Sequence, residues 1–86
     1  MDTNIYKYKY ISSATTTTFG TKPTGVLHTV VVGESPTTEV VISDVVGTIA
    51  TLKSGIAEKT YTYDVSYTGS LTATSNGISN ITINYK

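Results

Sequence analysis

Polar and apolar side chains alternate through most of this chain, and the alternation is sharpest between residues 60 and 73. Tyr61, Tyr63, Val65 and Tyr67 fall on one side of an extended backbone, with Thr60, Thr62, Asp64 and Ser66 on the other. A strand sends successive side chains to opposite faces, so a period of two marks a strand with one face for a core and one for water. Gly69-Ser70 then reads as a tight turn, with Leu71 and Ala73 opening the return strand of a hairpin over 60–67 and 70–75. The same grammar predicts strands over residues 5–11, 14–19, 26–32, 39–44, 49–53 and about 81–85. Pro and Gly punctuate the stretches between them, as in Gly20-Thr21-Lys22-Pro23-Thr24-Gly25, and Asn76-Gly77 is a turn dipeptide that tolerates positive φ.

Seven or eight short strands with turn signals every 8–12 residues predict an all-β, single-domain antiparallel β-sandwich, jelly-roll-like or immunoglobulin-like. Residues 1–11 read as an N-terminal strand or arm and residues 12–86 as the sandwich itself. The 5–11 segment, Ile-Tyr-Lys-Tyr-Lys-Tyr-Ile, puts Tyr6, Tyr8 and Tyr10 on one face and Lys7 and Lys9 on the other. Lysines spaced this way suit an edge strand that resists pairing with another sheet.

Composition narrows the function classes. The 86 residues hold no Cys and one His, so disulfides are excluded and a zinc site of ordinary ligands is not expected. A domain of this size buries a modest core, which favours self-association or docking onto a larger body. Six Lys balance six acids with no Arg, so no nucleic-acid partner is expected. No apolar run approaches the roughly 20 residues of a membrane helix, and no secretory leader is visible, which predicts no membrane partner and synthesis in a cytoplasm. Thr makes up about a fifth of the chain and, with seven Tyr, gives a polar, strand-favouring makeup.

Candidate chemistry is sparse. His28 lies in the most apolar strand without a sequence motif for a nucleophile, and reads as a structural or interface imidazole. The carboxylates are scattered, no calcium-loop or phosphate-loop motif occurs, and Asp64 falls on a solvated face. No enzyme activity and no cofactor are expected. Tyr61, Tyr63 and Tyr67 share a face with Val65 and read as core, whereas Tyr6, Tyr8 and Tyr10 have the makeup of contact residues.

Several phrases occur in a set order: Lys22-Pro23-Thr24-Gly25-Val26-Leu27-His28-Thr29-Val30, Ile49-Ala50-Thr51-Leu52, Thr60-Tyr61-Thr62-Tyr63-Asp64-Val65, Gly69-Ser70-Leu71-Thr72-Ala73 and Asn80-Ile81-Thr82-Ile83-Asn84-Tyr85. Over roughly residues 12–86 this arrangement resembles short all-β virion structural proteins of tailed bacteriophages. The resemblance implies a capsid decoration protein on the outer head surface. It would be a homo-oligomer in the virion, partnered by the major capsid protein or other virion proteins, and made in the host bacterial cytoplasm. A receptor- or glycan-binding module of a head or tail fibre is the alternative. The expected contact residues are Ile5, Tyr6, Tyr8, Tyr10, Lys22, Pro23 and His28.

Overall fold

The computed structural model describes residues 6–86, leaving the side chains of residues 21–23 outside the description. Among the described residues there are six strands and no helix: β1 (Lys7–Ile11), β2 (Thr15–Glu34), β3 (Val40–Ser43), β4 (Thr48–Leu52), β5 (Thr60–Ser75) and β6 (Asn80–Tyr85). They hydrogen-bond in the order β1-β6-β2-β5-β3-β4, every pairing antiparallel.

Two long strands organise the fold. β2 and β5 pair along the whole of β5, from Thr15 against Ser75 to Val31 against Thr60. One half of this ribbon is flanked by β3, which pairs with residues 72–75 and carries β4 outside it. The other half is flanked by β6, which pairs with residues 27–34 and carries β1 outside it. The ribbon therefore belongs to two layers, and one buried cluster draws residues from both: Ile42, Leu52, Leu71 and Ala73 from one half, Leu27, Val30, Ile81 and Ile83 from the other. This is the antiparallel β-sandwich that the alternation predicts. Four undivided strands and two halved ones make up the eight short stretches of the sequence pattern.

The hairpin expected at Gly69-Ser70 does not form, and the loop expected over residues 20–25 is strand. Both lie where the ribbon bends. Between Phe19 and Thr24, β2 uses two more residues than β5 does between Leu71 and Thr68, because Phe19 faces Leu71, Lys22 faces Gly69 and Thr24 faces Thr68. Extra residues on one strand bend it and sharpen its twist. Gly20 and Gly69 take positive φ at the bend, 65° and 81°. The glycine signals were real, but they mark a fold in a continuing ribbon. Asn76-Gly77 likewise turns without positive φ and carries the chain from β5 across to β6, which are not neighbours in the sheet.

The bend polarises the sandwich. The connections after β1, β2, β4 and β5 gather at the end away from it. There the Thr37 amide donates to the Ile78 carbonyl (3.0 Å), Gly55 to Pro36 (3.2 Å) and Ser79 to Ser12 (3.3 Å). At the bend end lie Tyr6, the β3–β4 tip and Lys86, whose amide donates to the Val26 carbonyl (2.9 Å) and whose carbonyl accepts from the Val26 amide (2.7 Å).

Tyr67 fills the bend from inside. Its ring is buried, and its hydroxyl has no hydrogen-bond partner among the described residues. Burial raises this phenol above its ordinary value of 10.0, with Tyr85 adding to the effect. The neutral phenol's contribution is thus complete below pH 10 and is lost as the pH climbs beyond it. An orphaned buried hydroxyl carries a desolvation penalty without a return bond. Tyr67→Phe is therefore expected to leave stability unchanged or raise it by up to about 1 kcal/mol. Urea denaturation checks this, and a clear loss would mean that the hydroxyl is bonded.

Candidate functional site

Among the sequence-derived contact residues, Ile5 lies outside the described residues. Lys22 and Pro23 contribute described backbone to β2, but their side chains are outside the description. Tyr6, Tyr8, Tyr10 and His28 are placed, and all four lie on or beside the layer built from β1, β6, β2 and the first half of β5.

Register aligns the outer side chains of that layer into rows. Tyr8 faces Asn84, which faces Thr29, which faces Thr62. In the next row Tyr10 faces Thr82, Thr82 faces Val31, and Val31 faces Thr60. Neither row contains a charged side chain. Tyr8 is 70% exposed and Tyr10 48% exposed, so two aromatic rings stand in solvent at the β1 side of these uncharged rows. The Asn84 amide donates to Thr29 Oγ1 (2.8 Å) and fixes the centre of it.

Lys7 and Lys9 occupy the opposite rows. Lys9 aligns with Ile83 and Val30, and Lys7 with Tyr85 and Leu27, all four of these apolar residues buried. Charges on the core-facing rows of an outermost strand obstruct addition of another strand to that edge. The edge is guarded while the outer face is open.

The bend end of the same layer holds a four-residue cluster. His28 sits where β5 inserts one extra residue against β2, between the pairs Leu27–Val65 and Thr29–Thr62. Asp64 in that bulge takes a φ of 49°, left-handed for a side-chain-bearing residue, a conformation that Asp tolerates better than most. The twist brings its carboxylate Oδ1 onto His28 Nδ1. Tyr6 stacks on the imidazole with ring centroids 4.3 Å apart at 19°. The Lys86 ammonium lies 5.0 Å from the centroid of the Tyr6 ring. The two residues that make the contact lie 36 positions apart. The bulge register that joins them has no sequence signature, although Asp in a run of alternating residues is the type most able to adopt it.

A second feature at this end is the β3–β4 tip. Asp44 accepts from the amides of Thr68 (2.9 Å), Val46 (2.9 Å) and Gly47 (3.0 Å). The Thr68 amide, then that of Gly47, lowers its carboxyl below the ordinary 3.8, with Val46 contributing. The ionised group's hold on the tip is complete above the ordinary carboxylate range and is lost as pH falls below it, through the lowered value. Val45 and Val46 stand on this braced turn, largely exposed.

Tyr67 is core, as its alternation predicts, and Tyr61 and Tyr63 are half-buried against the core. Val65 on the same face is exposed, because this half of β5 has no strand beyond it. Among the described residues, no three His, Cys, Asp or Glu side chains are grouped to hold a metal.

No family model and no curated protein matches the chain. Among solved structures, the chain is similar to the Drosophila NLP-core, described as giving insight into pentamer formation and histone binding. The match has a TM-score of 0.60 at 15% identity and covers 93% of this chain and 96% of that one. At this identity the likeness establishes the fold. It also corrects the virion expectation: the matched fold is that of a histone-binding, pentamer-forming core. Capsid decoration, a partner among capsid or other virion proteins, and the phage-fibre alternative are accordingly withdrawn.

Proposed function

We propose that this chain is a non-enzymatic assembly module that associates with copies of itself through the outer face of the β1–β6–β2–β5 layer. The observation that carries this reading is the pair of uncharged rows ending in the exposed rings of Tyr8 and Tyr10. Exposed aromatics in a field depleted of charge are the compositional mark of an interface centre. The guarded β1 edge directs contact to the face rather than to strand addition. Pentamer formation by the similar Drosophila core adds precedent for self-association of this fold.

Histone binding does not transfer. A highly basic partner calls for an acidic surface, and this chain balances six acids with six Lys. Two of the acids, Asp44 and Asp64, are already engaged in bonds of the bend end.

Two rows of four side chains form a small patch beside the roughly 20–30 residues a side of a standard interface. Association is therefore expected to depend on concentration. Sedimentation velocity and native mass spectrometry of the full chain, from micromolar to millimolar, test it. Tyr8→Lys is expected to raise the concentration needed for assembly about tenfold or more, since a buried lysine would have no partner in either row. A wild type that stays monomeric throughout, or a Tyr8→Lys variant that assembles like it, would overturn the reading.

A further inference from the structure

We infer that His28 and Asp64 form a proton-controlled latch that fastens strand β1, and with it the tyrosines of the proposed face, to the body of the sandwich. The inference rests on the self-association reading for its consequence, but not for its structural content.

β1 is an outermost strand of five residues, hydrogen-bonded on one side only, to β6. Strands of this kind open most readily, because few contacts must be lost. At its far end Ile11 is buried in the core. At its near end the described anchor is Tyr6, stacked on His28 and lying under the Lys86 ammonium. Asp64 orients the imidazole from the other strand through Nδ1. The bulge keeps a non-glycine residue in the left-handed region to do so. Backbone strain of that kind persists where the surroundings demand it.

An ordinary imidazole changes charge near pH 6.5, within the physiological range. Protonation turns the Nδ1 contact into an ion pair. It also places a cation on the Tyr6 ring, whose face attracts positive charge. Deprotonation leaves a neutral hydrogen bond and a plain stack. The titratable or charged groups around His28, among the described residues, are Asp64 and Tyr63 from β5, Tyr6 ahead of β1, and Tyr85 and Lys86 from the end of β6. Tyr63 packs against the core and Tyr85 lies within it. Lys86 brings the cation of the set, its ammonium 5.0 Å from the centroid of the Tyr6 ring that stacks on the imidazole.

Both partners are partly exposed, so solvent screens the pair, and a two- to fivefold effect is on the order expected. Hydrogen–deuterium exchange on the full chain, at a concentration where it is monomeric, reads it directly. Protection factors corrected for intrinsic exchange should be about two- to fivefold higher at pH 5.5 than at pH 8 for the amides of Lys7–Ile11. Those of Val40–Ser43 should not change. His28→Gln and Asp64→Asn should each abolish the difference, the second keeping a residue that tolerates positive φ. No pH dependence in the wild type, or the same dependence in both variants, would overturn the latch. Sedimentation at high concentration separates the two ideas. If β1 protection follows the latch but no assembly occurs at either pH, the latch stands and the self-association reading falls. If assembly occurs without any change in β1 protection, the latch falls alone.

Discussion

Gly25→Ala is expected to destabilise the domain by about 3 kcal/mol, the upper part of the range for overpacking a filled site. A Cβ at residue 25 would stand 2.3 Å from the Lys86 carbonyl oxygen and 2.5 Å from Tyr67 Cζ and Oη. The first obstacle is backbone, held in place by paired hydrogen bonds between Val26 and Lys86. The second is a ring wedged into the bend and buried on all sides. Neither can swing aside as an exposed lysine would. A domain of 86 residues is stabilised by about 4–13 kcal/mol in total, so one methyl group would remove a large share of it. Urea unfolding gives the number. The double variant Gly25→Ala with Tyr67→Ala is diagnostic, because removing the ring should recover little if the carbonyl is the main obstacle. Stability equal to wild type in Gly25→Ala would mean that the bend relaxes more easily than its packing implies.

Leu71→Ala should lower stability by about 2–5 kcal/mol, with the urea midpoint falling and the slope unchanged. Leu71 is fully buried, opposite Phe19 across the ribbon and next to the bend. Bulged backbone on the facing strand and a buried Tyr67 leave few ways to close the cavity left behind. Leu71→Met, which keeps the volume, should cost less than about 1.5 kcal/mol. Equal losses in the two variants would point to shape at this position rather than to lost apolar contact.

The buried halves of the strands were readable from alternation alone. Ile81, Ile83 and Tyr85 in β6, and Leu71 and Ala73 in β5, fall on the core face as their spacing predicts. What alternation could not decide was continuity. Gly69-Ser70 carries every local mark of a hairpin turn, and so does the Gly20–Gly25 stretch. A glycine with positive φ can reverse a chain or kink it, and the strand lying alongside decides which. Here each region faces the other, so both kink together. The proposed contact face is partly legible. Tyr6, Tyr8 and Tyr10 stand out against Lys7 and Lys9 in a single stretch, but the uncharged rows extending from them are drawn from four strands. Alternation puts Asp64 on the solvated face, and it is more than half exposed. Its bond to His28 depends on a one-residue bulge that the sequence does not announce.

The polarity of the sandwich bears on how foreign sequence can be attached to it. Tyr6 and Lys86 lie together at the end that holds the Tyr6–His28 stack, so cargo spliced after Lys86 would crowd the latch and the tyrosine face beside it. The distal end offers the opposite: the loop around Gly55 is open, with nothing within 4 Å of where a Cβ would stand, although Gly55 itself, at a φ of 77°, must stay glycine. A peptide inserted beside it would be displayed well away from the strands of the proposed contact face, leaving both to operate on one scaffold.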